Sequence, residues 1–172
     1  MKMTAANAPA RILVVDDEAI NCRLLEALLA PEGYTAICVS SGAEALAAVA
    51  HALPDLILLD AMMPEMDGYE VARRIKDHPP SSHIPIIMVT ALDDRASRLA
   101  GLEAGVEDFL SKPVDRTELW LRVRNLLRLK AYADVALRQS TDLEAQVRAR
   151  TAELQRFRTA MDATSDIVTL VD

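Results

Sequence analysis

Four branched apolar residues in a row, Leu56-Ile57-Leu58-Leu59, end on Asp60, and the chain then turns through Pro64 and Gly68. An unbroken apolar run of this length has no polar face to give to water. It must be covered on both sides, as a strand inside a parallel sheet is. The acid that ends it falls where open α/β sheets gather their ligands, at the carboxyl ends of the strands. Asp60 is the residue around which the reading is built.

The same unit recurs along the chain. Arg11 to Val15 is a short β-branched run that stops at Asp16-Asp17-Glu18, and Ala19 to Leu29 carries apolar residues at helical spacing until Pro31-Glu32-Gly33. Tyr34 to Val39 reads as a strand. Ser40-Ser41-Gly42 with Glu44 is a helix start, and Pro54 closes the Ala-rich helix that follows. A helix over Tyr69 to Lys76 leads through the Pro-rich loop Asp77 to His83 into a strand, Pro85 to Val89, that ends at Thr90. A helix over Asp93 to Ala104 is stopped by Gly105, and Val106 to Leu110 makes a fifth strand running into Ser111-Lys112-Pro113. Strand and helix alternate five times, which predicts a doubly wound α/β fold: a five-stranded parallel sheet, flavodoxin-like in order 2-1-3-4-5.

Composition narrows the function. With 51% apolar and 26% charged residues the chain is an ordinary globular sequence, and no apolar run approaches the ~20 residues of a membrane-spanning helix. Met1 to Ala10 lacks the apolar core of a secretory signal and is expected to be a disordered tail of a cytoplasmic protein. Residues 1–118 hold 10 Lys+Arg against 19 Asp+Glu, a poor surface for nucleic acid, whereas residues 119–172 hold 9 against 7. The break suggests a domain boundary near Leu119. Cys22 and Cys38 fall in apolar patterns and read as buried free thiols, and the three histidines form no ligand pair.

In the 2-1-3-4-5 order the strand ends bring Asp16, Asp17 and Asp60 together, with Thr90 and Lys112 beside them. Three like charges at close range need a cation, and hard oxygen donors favour Mg²⁺. An aspartate beside Mg²⁺ can attack a phosphoryl donor, with Lys112 and Thr90 stabilising the transferred oxygens. Ile12-Leu-Val-Val-Asp-Asp-Glu18, Leu56-Ile-Leu-Leu-Asp60 with Met63-Pro-Glu-Met-Asp-Gly68, Val89-Thr-Ala91 and Asp108-Phe-Leu-Ser-Lys-Pro113 together resemble the receiver domain of two-component response regulators, over roughly residues 11–130. The resemblance implies that Asp60 is the phosphoacceptor, served by a histidine kinase or phosphotransfer protein. It also implies that Asp17, Asp60 and the Met62 carbonyl ligate Mg²⁺ while Asp16 acts through a metal-bound water. Thr90 and Phe109 are then the switch pair, and a cis Lys112-Pro113 bond is expected.

Two enzyme readings compete and fail. A haloacid dehalogenase-type phosphatase wants an acid two residues after the nucleophile, where this chain has Met62. A dinucleotide enzyme wants a glycine fingerprint after the first strand, where this chain has acids. No enzyme activity is expected beyond phosphorylation and dephosphorylation of Asp60. A scaffold that is never phosphorylated, or a regulatory fragment of a diguanylate cyclase or hybrid histidine kinase, are the alternatives. The loop Asp77 to His83 and Ala91-Leu-Asp-Asp94 are similar to cyclase receivers, although such receivers also precede other outputs.

Beyond residue 118, the receiver core is expected to give way to one helix over about Thr117 to Ala160, with no Pro or Gly to interrupt it. Steps of three and four pick out Leu126, Leu129, Ala133, Ala136, Leu143, Val147, Leu154, Phe157 and Met161, a narrow stripe suited to a two-stranded, parallel homodimeric coiled coil. Ala133, Ala136 and Ser140 form a soft stretch of that stripe, and Arg150 is an unfavourable seam position that would set register. Leu143 to Leu154 resembles the signalling helices that join receivers to outputs. Phe157 to Asp172 is similar to the opening helix and first strand of a PAS domain, with residues 161–172 as its truncated start.

Overall fold

The structure, a computed structural model, describes residues 9–91 and 95–168, with side-chain exposure as far as Met161. Its strands are β1 (Arg11–Val15), β2 (Thr35–Val39), β3 (Leu56–Asp60), β4 (Ile86–Thr90) and β5 (Asp108–Ser111), interleaved with α1 (Ala19–Leu29), α2 (Gly42–His51), α3 (Gly68–Asp77), α4 (Arg95–Glu103) and α5 (Arg116–Val168). The strands form one parallel sheet in the order β2-β1-β3-β4-β5, as the alternation predicts.

Alternate residues of each strand serve opposite faces. Leu13, Val15, Ile57, Leu59, Ile86 and Met88 pack with α2 and α3 through Ala45, Val49, Val71 and Ile75. Ile12, Val14, Leu56, Leu58, Ile87 and Val89 pack with α1 and α5 through Leu25, Leu29, Leu119 and Val123. Because both faces are covered, every residue of β3 and β4 is buried, while the edge strand β2 is partly exposed. Cys38 lies on that edge and is exposed, which corrects its expected burial; Cys22 is buried.

Local signals fix most element ends. Ser41 accepts from the Glu44 N–H at 3.2 Å while the Glu44 carboxylate accepts from the Ser40 N–H at 2.8 Å, a reciprocal cap for α2. Asp67 caps α3 by accepting from the Glu70 N–H at 2.8 Å. At the end of α4, Gly105 is left-handed with φ 86° and donates to Leu102 O, and the Val106 N–H donates to Gly101 O, both at 3.0 Å. That cap consumes the backbone donor of Val106, so β5 starts two residues later than the apolar run suggests.

The charge break at Leu119 is not a structural boundary. Leu119 and Val123 are fully buried against the sheet, because the first turns of α5 are the cover for β1, β3 and β5. Trp120 Nε1–H donates to Leu28 O at 2.6 Å, which fastens α5 to α1, and Arg116, one turn back on α5, lies 3.9 Å over the Trp120 ring. One compact unit accordingly extends to Lys130, and residues from Ala131 onward form a second. Leu126, expected in the coiled-coil seam, is half-buried against this core instead, so the free stripe begins at Leu129. The helix runs past the expected end at Ala160 to Val168. Residues 1–8 of the expected disordered tail, and Thr169 to Asp172 of the expected PAS start, lie outside the described residues, as do residues 92–94.

One glycine is demanded by close approach. A Cβ on Gly68 would lie 2.2 Å from the Asp60 carbonyl oxygen and 2.9 Å from Ala61 Cα, both rigid backbone. Its N–H donates to Ala61 O at 2.9 Å, folding the β3–α3 loop back on the strand end. Gly68→Ala is expected to cost about 2 kcal/mol or more in urea unfolding, because backbone rather than a flexible side chain must yield. A variant as stable as the parent would contradict this packing.

Candidate active site

Parallel register sets the site. Val15 pairs with Leu59 across β1 and β3, so Asp16 leaves β1 beside Asp60, and Asp60 pairs with Val89 next to Thr90. Asp16, Asp17 and Asp60 each offer a carboxylate oxygen, all within 4.8 Å of one another. Asp16 is 2% exposed and Asp60 7%, while Asp17 faces solvent. The Lys112 ammonium, from the loop after β5, lies 3.0 Å from Asp16 Oδ2 and 3.3 Å from Asp60 Oδ1. Its backbone N–H donates to Thr90 O at 2.9 Å, and the Lys112-Pro113 bond is cis.

The two buried acids are held differently. Asp16 accepts from the Glu18 N–H at 2.9 Å, and its two carboxylate oxygens accept from the one Asn21 Nδ2, at 3.0 and 3.1 Å. Asp60 has a long contact from the Met62 N–H at 3.4 Å and the Lys112 charge. Burial, first, and then the nearby Asp16 charge hold the Asp60 carboxyl above its usual range, with Lys112 opposing them. For Lys112 itself, burial is the largest single influence and pulls it down. The combined hydrogen bonds and charges of Asp16 and Asp60 outweigh this, and its affinity for a proton is raised.

All the donors here are hard oxygens. Three carboxylates against one ammonium leave two formal negative charges, the deficit that one divalent cation balances. The residues present therefore fit Mg²⁺ better than a thiophilic metal. Cys22, nearby, is no competitor: burial and its neighbour Cys38 push its thiol up to about 12.

Thr90 ends β4, 4% exposed, and Phe109 lies on β5, half-buried under α4. The ring fits there because residue 101 is glycine: a Cβ on Gly101 would be 2.5 Å from Phe109 Cζ. Arg98, also on α4, lies 5.9 Å from the ring centroid. Sequence reasoning missed Asn21, Gly101 and Arg98. An Asn on the polar side of a helix carries no local mark, and the match of Gly101 to an aromatic ring exists only between distant segments.

Residues 12–124 match the family described as response regulator receiver domain. The chain belongs to the response regulator receiver family. It is 54% identical over 125 residues to the response regulator PleD of Caulobacter vibrioides, covering 73% of this chain and 28% of that protein. It is 44% identical over 118 residues to the probable transcriptional regulator ycf27 of Guillardia theta, covering 69% and 45%. The chain thus spans less than half the length of these curated relatives. Among solved structures, a putative response regulator from Chloroflexus aurantiacus aligns with a TM-score of 0.68 at 39% identity, over 70% of this chain and 98% of that one. The receiver domain of a Pseudomonas aeruginosa sensor histidine kinase, solved with a magnesium ion coordinated in its active-site cleft, aligns with a TM-score of 0.66 at 33% identity, over 70% and 98%. Receiver membership accounts for the acid cluster at these strand ends.

The pH dependence of stability follows from Asp60. A carboxyl whose affinity for protons is raised on folding means the native state binds more protons than the unfolded chain. Its penalty grows as pH rises from the ordinary carboxylate range through the raised value, and then stays. Asp60→Asn, which keeps the shape, is expected to be more stable than the parent at pH 7. The gain should close on acidification to below about pH 3, where the carboxyl is largely neutral in both the folded and the unfolded chain. Urea unfolding at the two pH values checks this; an unstable variant at pH 7 would contradict it.

Proposed function

We propose that this receiver accepts a phosphoryl group on Asp60 from a histidine kinase or phosphotransfer protein, with Mg²⁺ required. The observation that carries the reading is Lys112 bridging the two buried acids, 3.0 Å from Asp16 and 3.3 Å from Asp60, with the third carboxylate inside the same 4.8 Å cluster. Asp17, Asp60 and the Met62 carbonyl would hold the metal, and Asp16 would act through water. When bound, Mg²⁺ supplies positive charge to the phosphoryl oxygens. An Asp60 oxygen forms the new bond to phosphorus while the bond to the donor's imidazole nitrogen breaks and takes its electron pair away. The raised basicity of the carboxylate favours it as a nucleophile, and Lys112 keeps it ionised and neutralises a phosphoryl oxygen. The Thr90 hydroxyl donates to another, and the half-buried Phe109 ring is the element that repacks in response.

The same reading gives α5 a role. Leu129, Ala133, Ala136, Leu143, Val147, Leu154, Phe157 and Met161 are exposed in the single chain. A parallel homodimer through this stripe would cover them and carry the phosphorylation state toward an output module, for which the PAS-like likeness near the chain end is a candidate. The acidic receiver half is a poor surface for nucleic acid, and none of the described helices is long and apolar enough to cross a membrane.

Acetyl phosphate with Mg²⁺ is expected to add one phosphoryl group by mass spectrometry, and chelation should prevent it. Asp60→Asn should abolish labelling, and Lys112→Met should slow it by about a hundredfold. Stoichiometric labelling of Asp60→Asn elsewhere in the chain would overturn the assignment. Sedimentation of the full chain is expected to give a dimer and of Leu143→Glu/Leu154→Glu a monomer; a monomeric parent would overturn the dimer.

A further inference from the structure

The second unit, from Ala131 onward, is helical and carries a stripe of apolar side chains that begins just before it at Leu129: Leu129, Leu143, Leu154, Phe157 and Met161 are 58–68% exposed. What covers them is written in the residues beside the stripe. With Leu129 at heptad position d and Ala133 at a, the positions flanking the seam are g and e, and in a parallel in-register pair each g meets the e five residues further on in the other chain. Tyr132 then meets Leu137, and Glu153 meets Arg158.

Both matches have a local reason. Between Leu129 and Leu143 the seam is small, Ala133, Ala136 and Ser140, so two helices approach closely there and bury little in the seam itself. Tyr132 and Leu137, 66% and 68% exposed, flank that thin stretch with large apolar side chains where g and e are ordinarily charged. Further along, Arg150 occupies a d position and lies 3.6 Å from Glu153 of its own helix, which draws its guanidinium off the seam. Glu153 then faces Arg158 across the dimer. Between these two pairs Gln139 meets Glu144 and Gln146 meets Thr151, with no like charges opposed.

We infer that the occupant of this face is a second copy of the same chain, parallel and in register, specified by Tyr132 against Leu137 and Glu153 against Arg158 of the other copy. A slip of one heptad places Tyr132 against Glu144 and removes the partner of Glu153. An antiparallel pair sets g against g and e against e and dissolves both matches. Two charged arginines in the seam penalise burial without such compensation, which gives Arg150 a part in fixing register at the expense of affinity. This inference rests on the dimeric reading above but is separable from it.

The test uses the full chain with Cys22 and Cys38 replaced by Ser. Oxidation is expected to cross-link Leu143→Cys to itself and Leu154→Cys to itself, and to leave the off-seam Thr159→Cys uncross-linked. In sedimentation equilibrium, Glu153→Arg and Arg158→Glu should each weaken the dimer by roughly tenfold. The double exchange should recover part of that loss but not all, because Arg150 then faces a second guanidinium at position 153 of its own helix. Circular dichroism and labelling of Asp60 report that each variant is folded. Cross-links only between position 143 of one chain and position 154 of the other, or a dimer indifferent to the single charge changes, would overturn the register while leaving the dimer standing. A monomeric parent would overturn both, and neither result bears on Asp60 as the phosphoacceptor.

Discussion

Burying two carboxylates and keeping a third beside them is the constraint on which the rest of this molecule depends. Folding a parallel sheet in the 2-1-3-4-5 order forces Asp16 and Asp60 side by side at the carboxyl edge, where water is scarce and their repulsion is strong. The fold answers with one ammonium, the Asn21 amide nitrogen shared by both Asp16 oxygens, and the backbone N–H groups of Glu18 and Met62. The compensation is deliberately incomplete. Asp16 is fully hydrogen-bonded and fixed, whereas Asp60 is left with a long contact and a raised proton affinity.

The element that supplies the compensating charge also carries the aromatic residue. Phe109 lies on β5, and Lys112 follows the end of that strand. The Arg122 guanidinium on α5 pairs with Asp108 at the start of β5 and with Glu118 one turn back at 2.6 Å. The strand that leads to Lys112, the cation beside Asp60, is thereby tied to the helix covering the opposite face. Packing in such a core has discrete arrangements rather than a continuum. Gly101 makes room for the Phe109 ring on the other side of the same strand, so α4, β5 and the start of α5 form one mechanical neighbourhood.

Much of this was readable in the chain itself. Continuous apolar runs announced strands covered on both faces, Gly and Pro marked the turns, and the acids, Thr90 and Lys112 fell at strand ends in the order the sheet requires. Reading went astray where local pattern and long-range packing disagree. The charge break at Leu119 looked like a boundary, yet Leu119 and Val123 are core, because the start of α5 is the last cover of the sheet. Leu126 satisfies the heptad and is nonetheless taken by the core.

The sequence by itself determined the class of fold, the succession of elements and the cast of chemical groups, since apolar period, turn residues and residue type are properties of short windows. Only the tertiary structure decided that Lys112 bridges Asp16, ninety-six residues away, and Asp60; that Asn21 clamps one acid and leaves the other loose; and where on α5 the receiver ends. Those outcomes depend on which distant surfaces meet and how much water they exclude. That information is shared among segments and belongs to none of them alone.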